Sequence, residues 1–134
     1  MTGGGARHRD RPLVLLVDDS PDNRSMYAEY LTFQGFDVLE AHDGVQAVAA
    51  ARRETPDVVV MDVGLPKIDG LEATKILRSD PATSGLLVIA LSGHGPDTEE
   101  RATAAGVDRY VRKPCLPNVL AEHLRTLLRA RRSG

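Results

Sequence analysis

Val58-Val59-Val60-Met61-Asp62 runs four apolar residues, three of them β-branched, into a single carboxylate. Such a run reads as a strand buried on both faces, the kind found in parallel sheets covered by helices. Gly64 and Pro66 break it at once. In open α/β sheets the carboxyl ends of parallel strands are where the chemistry collects. A lone aspartate there also serves as a plain turn-former, so the meaning of Asp62 depends on what the other strands bring.

Upstream, Leu13-Val14-Leu15-Leu16-Val17 is another apolar run, and it ends in Asp18-Asp19. Ser20 is a good N-cap and Pro21 suits a first helical position. A helix is predicted from Asp22 to Gln34, with Met26, Tyr27, Tyr30, Leu31 and Phe33 at helical spacing and Gly35 as its stop. Phe36 to Glu40 reads as a short strand. Asp43-Gly44 turns the chain into an Ala-rich helix, Val45 to Glu54, with Val45, Val48, Ala49 and Arg52 in phase. Asp57 to Asp62 is then the third strand.

Downstream, a helix from Gly70 to Arg78 carries Leu71, Thr74, Ile76 and Leu77. Leu86 to Leu91 is a fourth strand, ending in Ser92-Gly93. A polar helix from Pro96 to Ala105 stops at Gly106. Asp108 to Arg112 is a fifth strand, followed by Lys113-Pro114. The last helix, Leu116 to Ala130, sets Val119, Leu120, Leu124, Leu127 and Leu128 on one side. Five strands alternating with five helices, joined by right-handed crossovers, predict a parallel sheet with helices on both faces.

The 134 residues suit one domain: a polar leader over 1–11, the domain over 12–130 and a tail over 131–134. At 42% hydrophobic and 4% aromatic, the core must be aliphatic. No apolar run approaches the ~20 residues of a membrane span, and the N-terminus lacks a signal-peptide core. The single cysteine, Cys115, excludes an internal disulfide and fits a reducing cytoplasm. Between Pro12 and Leu124 there are ten Lys/Arg against eighteen Asp/Glu, so the body is acidic while the ends are basic. An acidic body argues against direct nucleic-acid binding there.

The strand ends of a parallel sheet lie along one edge. That edge gathers Asp18, Asp19, Asp62, Ser92 and Lys113. Three unpaired carboxylates together repel and push one towards protonation. A divalent cation removes the conflict, and hard oxygen donors without His or Cys select Mg2+. Lys113 adds a point charge for a phosphoryl group and Ser92 a hydroxyl. The set fits phosphoryl transfer, which rests on positioning and charge neutralisation. Asp62, alone and with Lys113 available, is the expected nucleophile and would form an acyl phosphate. A purely structural cation site would need neither Lys113 nor Ser92.

Several segments in register resemble the receiver domain of two-component response regulators. They are Val17-Asp18-Asp19-Ser20, Met61-Asp62-Val63-Gly64-Leu65-Pro66-Lys67-Ile68-Asp69-Gly70, Leu91-Ser92-Gly93 and Gly106-Val107-Asp108-Arg109-Tyr110-Val111-Arg112-Lys113-Pro114. The likeness spans roughly Leu13 to Leu128. It implies a flavodoxin-like (βα)5 three-layer sandwich with strand order 2-1-3-4-5. It implies that Asp62 accepts phosphate from a phosphohistidine on a sensor histidine kinase or histidine phosphotransfer protein. Asp19 and Asp62 would bind Mg2+ through side chains, Asp18 largely through water, and Gly64 through its carbonyl. Lys113 would pair with Asp62 and then with the phosphoryl group. Ser92 would swing in, Tyr110 would turn inward, and the surface of the fourth helix, fifth strand and fifth helix would change to control a downstream protein target. Lys113-Pro114 would be a cis peptide.

On this resemblance the chain is a cytoplasmic, stand-alone switch that catalyses its own phosphotransfer and autodephosphorylation, with phosphorylation-dependent dimerisation open to it. The alternatives are an intermediate phosphorelay receiver, a receiver fragment of a larger regulator or hybrid kinase, or an Mg2+-dependent aspartyl-nucleophile phosphatase. The phosphatase would need a second catalytic Asp where Gly64 stands. A flavodoxin would need a phosphate-cradling first loop where Asp18-Asp19 would repel phosphate. Gly64 lacks the side chain that many receivers use to govern water attack. Cys115 stands where an aromatic is common, and reads as a small packing residue. His94, near the pocket mouth, reads as a solvated loop histidine. Tyr27 and Tyr30 read as helix-packing residues.

Overall fold

Leu13–Val17 forms β1, and the elements then alternate: α1 Pro21–Phe33, β2 Asp37–Ala41, α2 Gly44–Glu54, β3 Val58–Asp62, α3 Gly70–Ser79, β4 Leu87–Ser92, α4 Pro96–Ala105, β5 Arg109–Arg112 and α5 Pro117–Ser133. The computed structural model describes residues 11–93 and 95–133, the side chains of 132 and 133 aside. Residues 1–10 of the expected leader, His94 and Gly134 lie outside these described residues. Arg11, expected to close the leader, is bound into the fold. Its Nε donates to Asp37 Oδ1 at 2.9 Å, and its guanidinium donates to the carbonyls of Thr32 and Phe36 at 2.7 and 2.9 Å.

The sheet is parallel throughout, in the order β2-β1-β3-β4-β5. This is the flavodoxin-like order expected from the resemblance. Val14 pairs with Val58 and Val58 with Leu87, so the three apolar runs stack as the sheet's interior strands. Alternate residues serve opposite faces, as strand geometry requires. Val14, Leu16, Val58 and Val60 join Tyr27 and Leu31 of α1 and Leu120 and Leu124 of α5. Leu15, Val17, Val59 and Met61 join the alanines of α2 and Leu77 of α3. Ala90 meets Ala102 and Ala105 of α4.

Two helical faces differ from expectation. In α2, Val45 is 52% exposed, and Ala49 and Arg52 also face solvent. The inward stripe is Ala47, Val48, Ala50 and Ala51. α2 starts hard against the loop after β3, where a Cβ on Gly44 would overlap Ile68. Small residues suit so close an approach. In α1, Met26 and Phe33 are 44% and 87% exposed, while Tyr27, Ala28 and Leu31 are buried.

The remaining differences are at ends. Phe36 is buried but precedes β2, its amide donating to Leu31 O at 3.0 Å to close the end of α1. α5 begins at Pro117, with Leu116 O accepting from Leu120 N at 3.0 Å. It runs through residues 131–133, expected as tail, because those residues carry no helix breaker.

Candidate functional site

The carboxyl ends of β1 and β3 place three acids together. Each of Asp18, Asp19 and Asp62 has a carboxylate oxygen within 4.8 Å of the others'. Asp18 and Asp62 are buried, at 2% and 6% relative exposure, while Asp19 is exposed at the rim. Asp18 is held by its surroundings. Its amide donates to Ala41 O at 3.1 Å, and its Oδ1 accepts from the amide of Ser20 at 2.8 Å. Ser20 in turn caps α1 as expected, accepting from Asn23 N at 3.3 Å.

Asp62 ends β3. Gly64 N donates to its Oδ1 at 3.1 Å, and Lys113 Nζ donates to its Oδ2 at 3.1 Å. Lys113 comes from the segment after β5, whose backbone is tied to β4 by Lys113 N donating to Ser92 O at 2.8 Å. Gly70 lets α3 start directly over this strand end, since a Cβ there would overlap the Asp62 carbonyl. Ser92 is buried at the end of β4, opposite Arg112 of β5. The peptide between Lys113 and Pro114 is cis. Tyr110 is half-buried in β5, opposite Ala90, and packs against the cluster that holds Ala90 with Val63, Leu71, Ala102 and Ala105.

Burial pushes the Asp18 carboxyl above its ordinary 3.8. The Ser20 amide opposes the shift, the Asp62 charge adds to it, and Lys113 and Asp19 contribute less. The pocket therefore carries three acids against one ammonium. Such a set of carboxylate oxygens suits a hard cation. Asp18, Asp19, Asp62 and Lys113 are brought together as the sequence suggested, with Gly64 alongside and Ser92 one strand over.

A model of the response regulator receiver domain matches residues 14–125. The chain belongs to this family. This receiver is 42% identical over 118 residues to the probable transcriptional regulatory protein TcrX of Mycobacterium tuberculosis, covering 87% of this chain and 49% of that protein. It is 31% identical over 102 residues to the polar-differentiation response regulator DivK of Brucella anthropi, covering 75% and 83%. The structure of the chemotaxis response regulator CheY4 of Vibrio cholerae matches with a TM-score of 0.82 at 30% identity, covering 87% of this chain and 98% of that one. The chain spans about half the length of the transcriptional regulators it matches.

Contacts that support this receiver's pocket escaped the sequence reading. Arg24, on α1, donates to the Asp18 carbonyl at 2.8 Å while its Nε pairs with Glu40 at 3.0 Å. Tyr27, one turn further along, donates to the Cys115 carbonyl at 2.6 Å. Asp43 is not merely a turn residue. It caps α2 by accepting from Gln46 N at 2.8 Å, and its Oδ2 lies 3.4 Å from the Nζ of Lys67 in the loop after β3. Lys67 itself has φ +70. No sequence signal marks the bonds to Asp18 and Cys115, because both end on backbone carbonyls.

Among the described residues, no helix is long and apolar enough to cross a membrane.

Proposed function

We propose that this receiver accepts a phosphoryl group on Asp62 from a phosphohistidine, and that the modification controls binding to a protein partner. The observation that carries the reading is the Lys113 ammonium 3.1 Å from Asp62 Oδ2, beside two further carboxyls. An aspartate oxygen attacks phosphorus, the bond from phosphorus to the imidazole nitrogen breaks, and the imidazole leaves with the electron pair. Lys113 neutralises charge building on the phosphoryl oxygens, and the buried Ser92 hydroxyl supplies a hydrogen bond at the end of β4.

Receiver domains generally hold Mg2+ in an acidic pocket, and the donor set here fits it. The donors are hard oxygens without His or Cys, and one carboxylate oxygen from each acid lies within 4.8 Å of the others. Asp18, Asp19 and Asp62 side chains and the Gly64 carbonyl would hold it. When bound, it supplies charge neutralisation and orientation for the incoming phosphoryl oxygens. Tyr110, packed against the cluster that includes Ala102 and Ala105 of α4, would carry the state of Ser92 to the face made by α4, β5 and α5.

The phosphodonor is a sensor histidine kinase or a histidine phosphotransfer protein, met in the cytoplasm. The match covers 83% of DivK, a polar-differentiation response regulator. In the transcriptional regulators, of which about half is spanned, the matching region is joined to further chain. Incubation with Mg2+ and acetyl phosphate should add one phosphate by mass, and Asp62→Asn should abolish the addition. Full phosphorylation of that variant would sink the assignment.

A further inference from the structure

We propose that Tyr27 is a positioning residue for Lys113: from α1 its hydroxyl pins the loop between β5 and α5, and so keeps the ammonium aimed at Asp62. The inference rests on the phosphoryl-acceptor reading above. Tyr27 is buried, and its hydroxyl donates to Cys115 O at 2.6 Å across 88 residues of sequence. Cys115 lies two residues beyond Lys113. On its other side Lys113 is tied to the sheet through Ser92 O at 2.8 Å. The segment carrying the lysine is thus held at two points, one from β4 and one from α1.

The second point lies in a groove that Tyr27 and Cys115 themselves help to line. That groove, lined also by Asn23, Met26, Pro114, Leu116 and Pro117, runs between α1 and the loop. The Lys113 side chain is 31% exposed and rich in rotamers. The position of its backbone therefore decides how many of those rotamers reach Asp62. Burial, with help from Cys115, Asp18 and Asp62, pushes the Tyr27 phenol up to about 12, so it remains a donor at physiological pH. Arg24, three residues earlier on the same helix, grips the opposite wall through the Asp18 carbonyl. α1 thus spaces the acid side of the pocket from the lysine side. A tyrosine that only satisfied a core carbonyl would affect stability and leave the reaction alone.

Tyr27→Phe removes one oxygen and keeps the ring. With saturating acetyl phosphate and Mg2+, well below the variant's melting temperature, it should take up phosphate about 3- to 10-fold more slowly than wild type. Its Mg2+ affinity should stay within about twofold. In a Lys113→Ala background the same change should alter the rate by less than about 1.5-fold, because the group it positions is gone. Equal losses in both backgrounds, or an unchanged rate with a lower melting temperature, overturn the proposal. Amide exchange over residues 111–118 reads the pin without any phosphate: it should rise in Tyr27→Phe, and no change there overturns the proposal as well. Wild-type protein that never takes up phosphate would instead refute the acceptor reading, leaving amide exchange to decide on Tyr27.

Discussion

Asp18→Asn in metal-free protein probes the pocket's central conflict. The Asp18 and Asp62 carboxyls are both buried, with oxygens within 4.8 Å of each other. Two unit charges at that separation repel by ~3.5 kcal/mol at an effective dielectric of ~20. Lys113 at 3.1 Å offsets part of the Asp62 charge, and the Ser20 amide at 2.8 Å offsets part of the Asp18 charge. A net gain of about 1–2 kcal/mol remains when Asp18 is neutralised. Asparagine keeps the oxygen that accepts from Ser20. In EDTA the variant should therefore melt about 4–8 °C above wild type, taking roughly 4 °C per kcal/mol for a chain of this size. A cation at a hundred times its Kd stabilises wild type by ~2.7 kcal/mol, and the variant should lose most of that increment. Thermal melts followed by circular dichroism, with EDTA and with excess Mg2+, read both effects. An equal or lower melting temperature in EDTA, or a full wild-type response to Mg2+, would refute the electrostatic account.

The same pair of proteins gives the pH dependence its sign. Burial raises the folded Asp18 carboxyl above its ordinary 3.8. The folded state therefore holds this proton more tightly than the unfolded chain does. The resulting stabilisation is fully present below 3.8 and is lost as pH rises through the raised folded value. Metal-free wild type should show that decline, and Asp18→Asn should flatten it.

Arg78 donates to the carbonyls of Gly106, Ser84 and Leu86 and to Asp108 Oδ2 at 2.5–2.9 Å, tying α3 to the turns before β4 and β5. Arg78→Ala should lower stability in urea by about 2–4 kcal/mol, and a loss under about 1 kcal/mol would refute the clamp. Gly70→Ala drives a Cβ into the Asp62 carbonyl and should cost about 1–3 kcal/mol while slowing phosphate uptake. Uptake at the wild-type rate would show that α3 yields without moving Asp62. Burial, then the Arg109 charge, lowers the His123 ring below its ordinary 6.5, and Arg109 lies 3.0 Å from Nδ1. Its contribution is present above 6.5 and lost as pH falls through the folded value. His123→Gln should flatten urea stability across that window, and an unchanged slope counts against it.

The strand framework was legible because interior parallel strands must be apolar on both faces. Leu13–Val17, Val58–Asp62 and Leu87–Ser92 announce themselves as runs, and the acids and serine at or just past their ends mark the edge where the candidate site lies. Helical faces were harder where the packing residues are small. The stripe of α2 is built mostly from alanines, identical in hydropathy to their exposed neighbour Ala49. Val45 therefore drew the expected face towards itself. The side chains that tie helices to loops were hidden for another reason. Arg24, Tyr27 and Arg78 act on backbone carbonyls, at Asp18, Cys115 and Gly106. A carbonyl has no letter of its own in the sequence, and its position follows only once the loop is placed. The candidate site residues are readable at strand ends, where topology alone brings them together. Residues that hold them in place become visible only through loop geometry, so the positioning of Lys113 is the part of this receiver that needed coordinates.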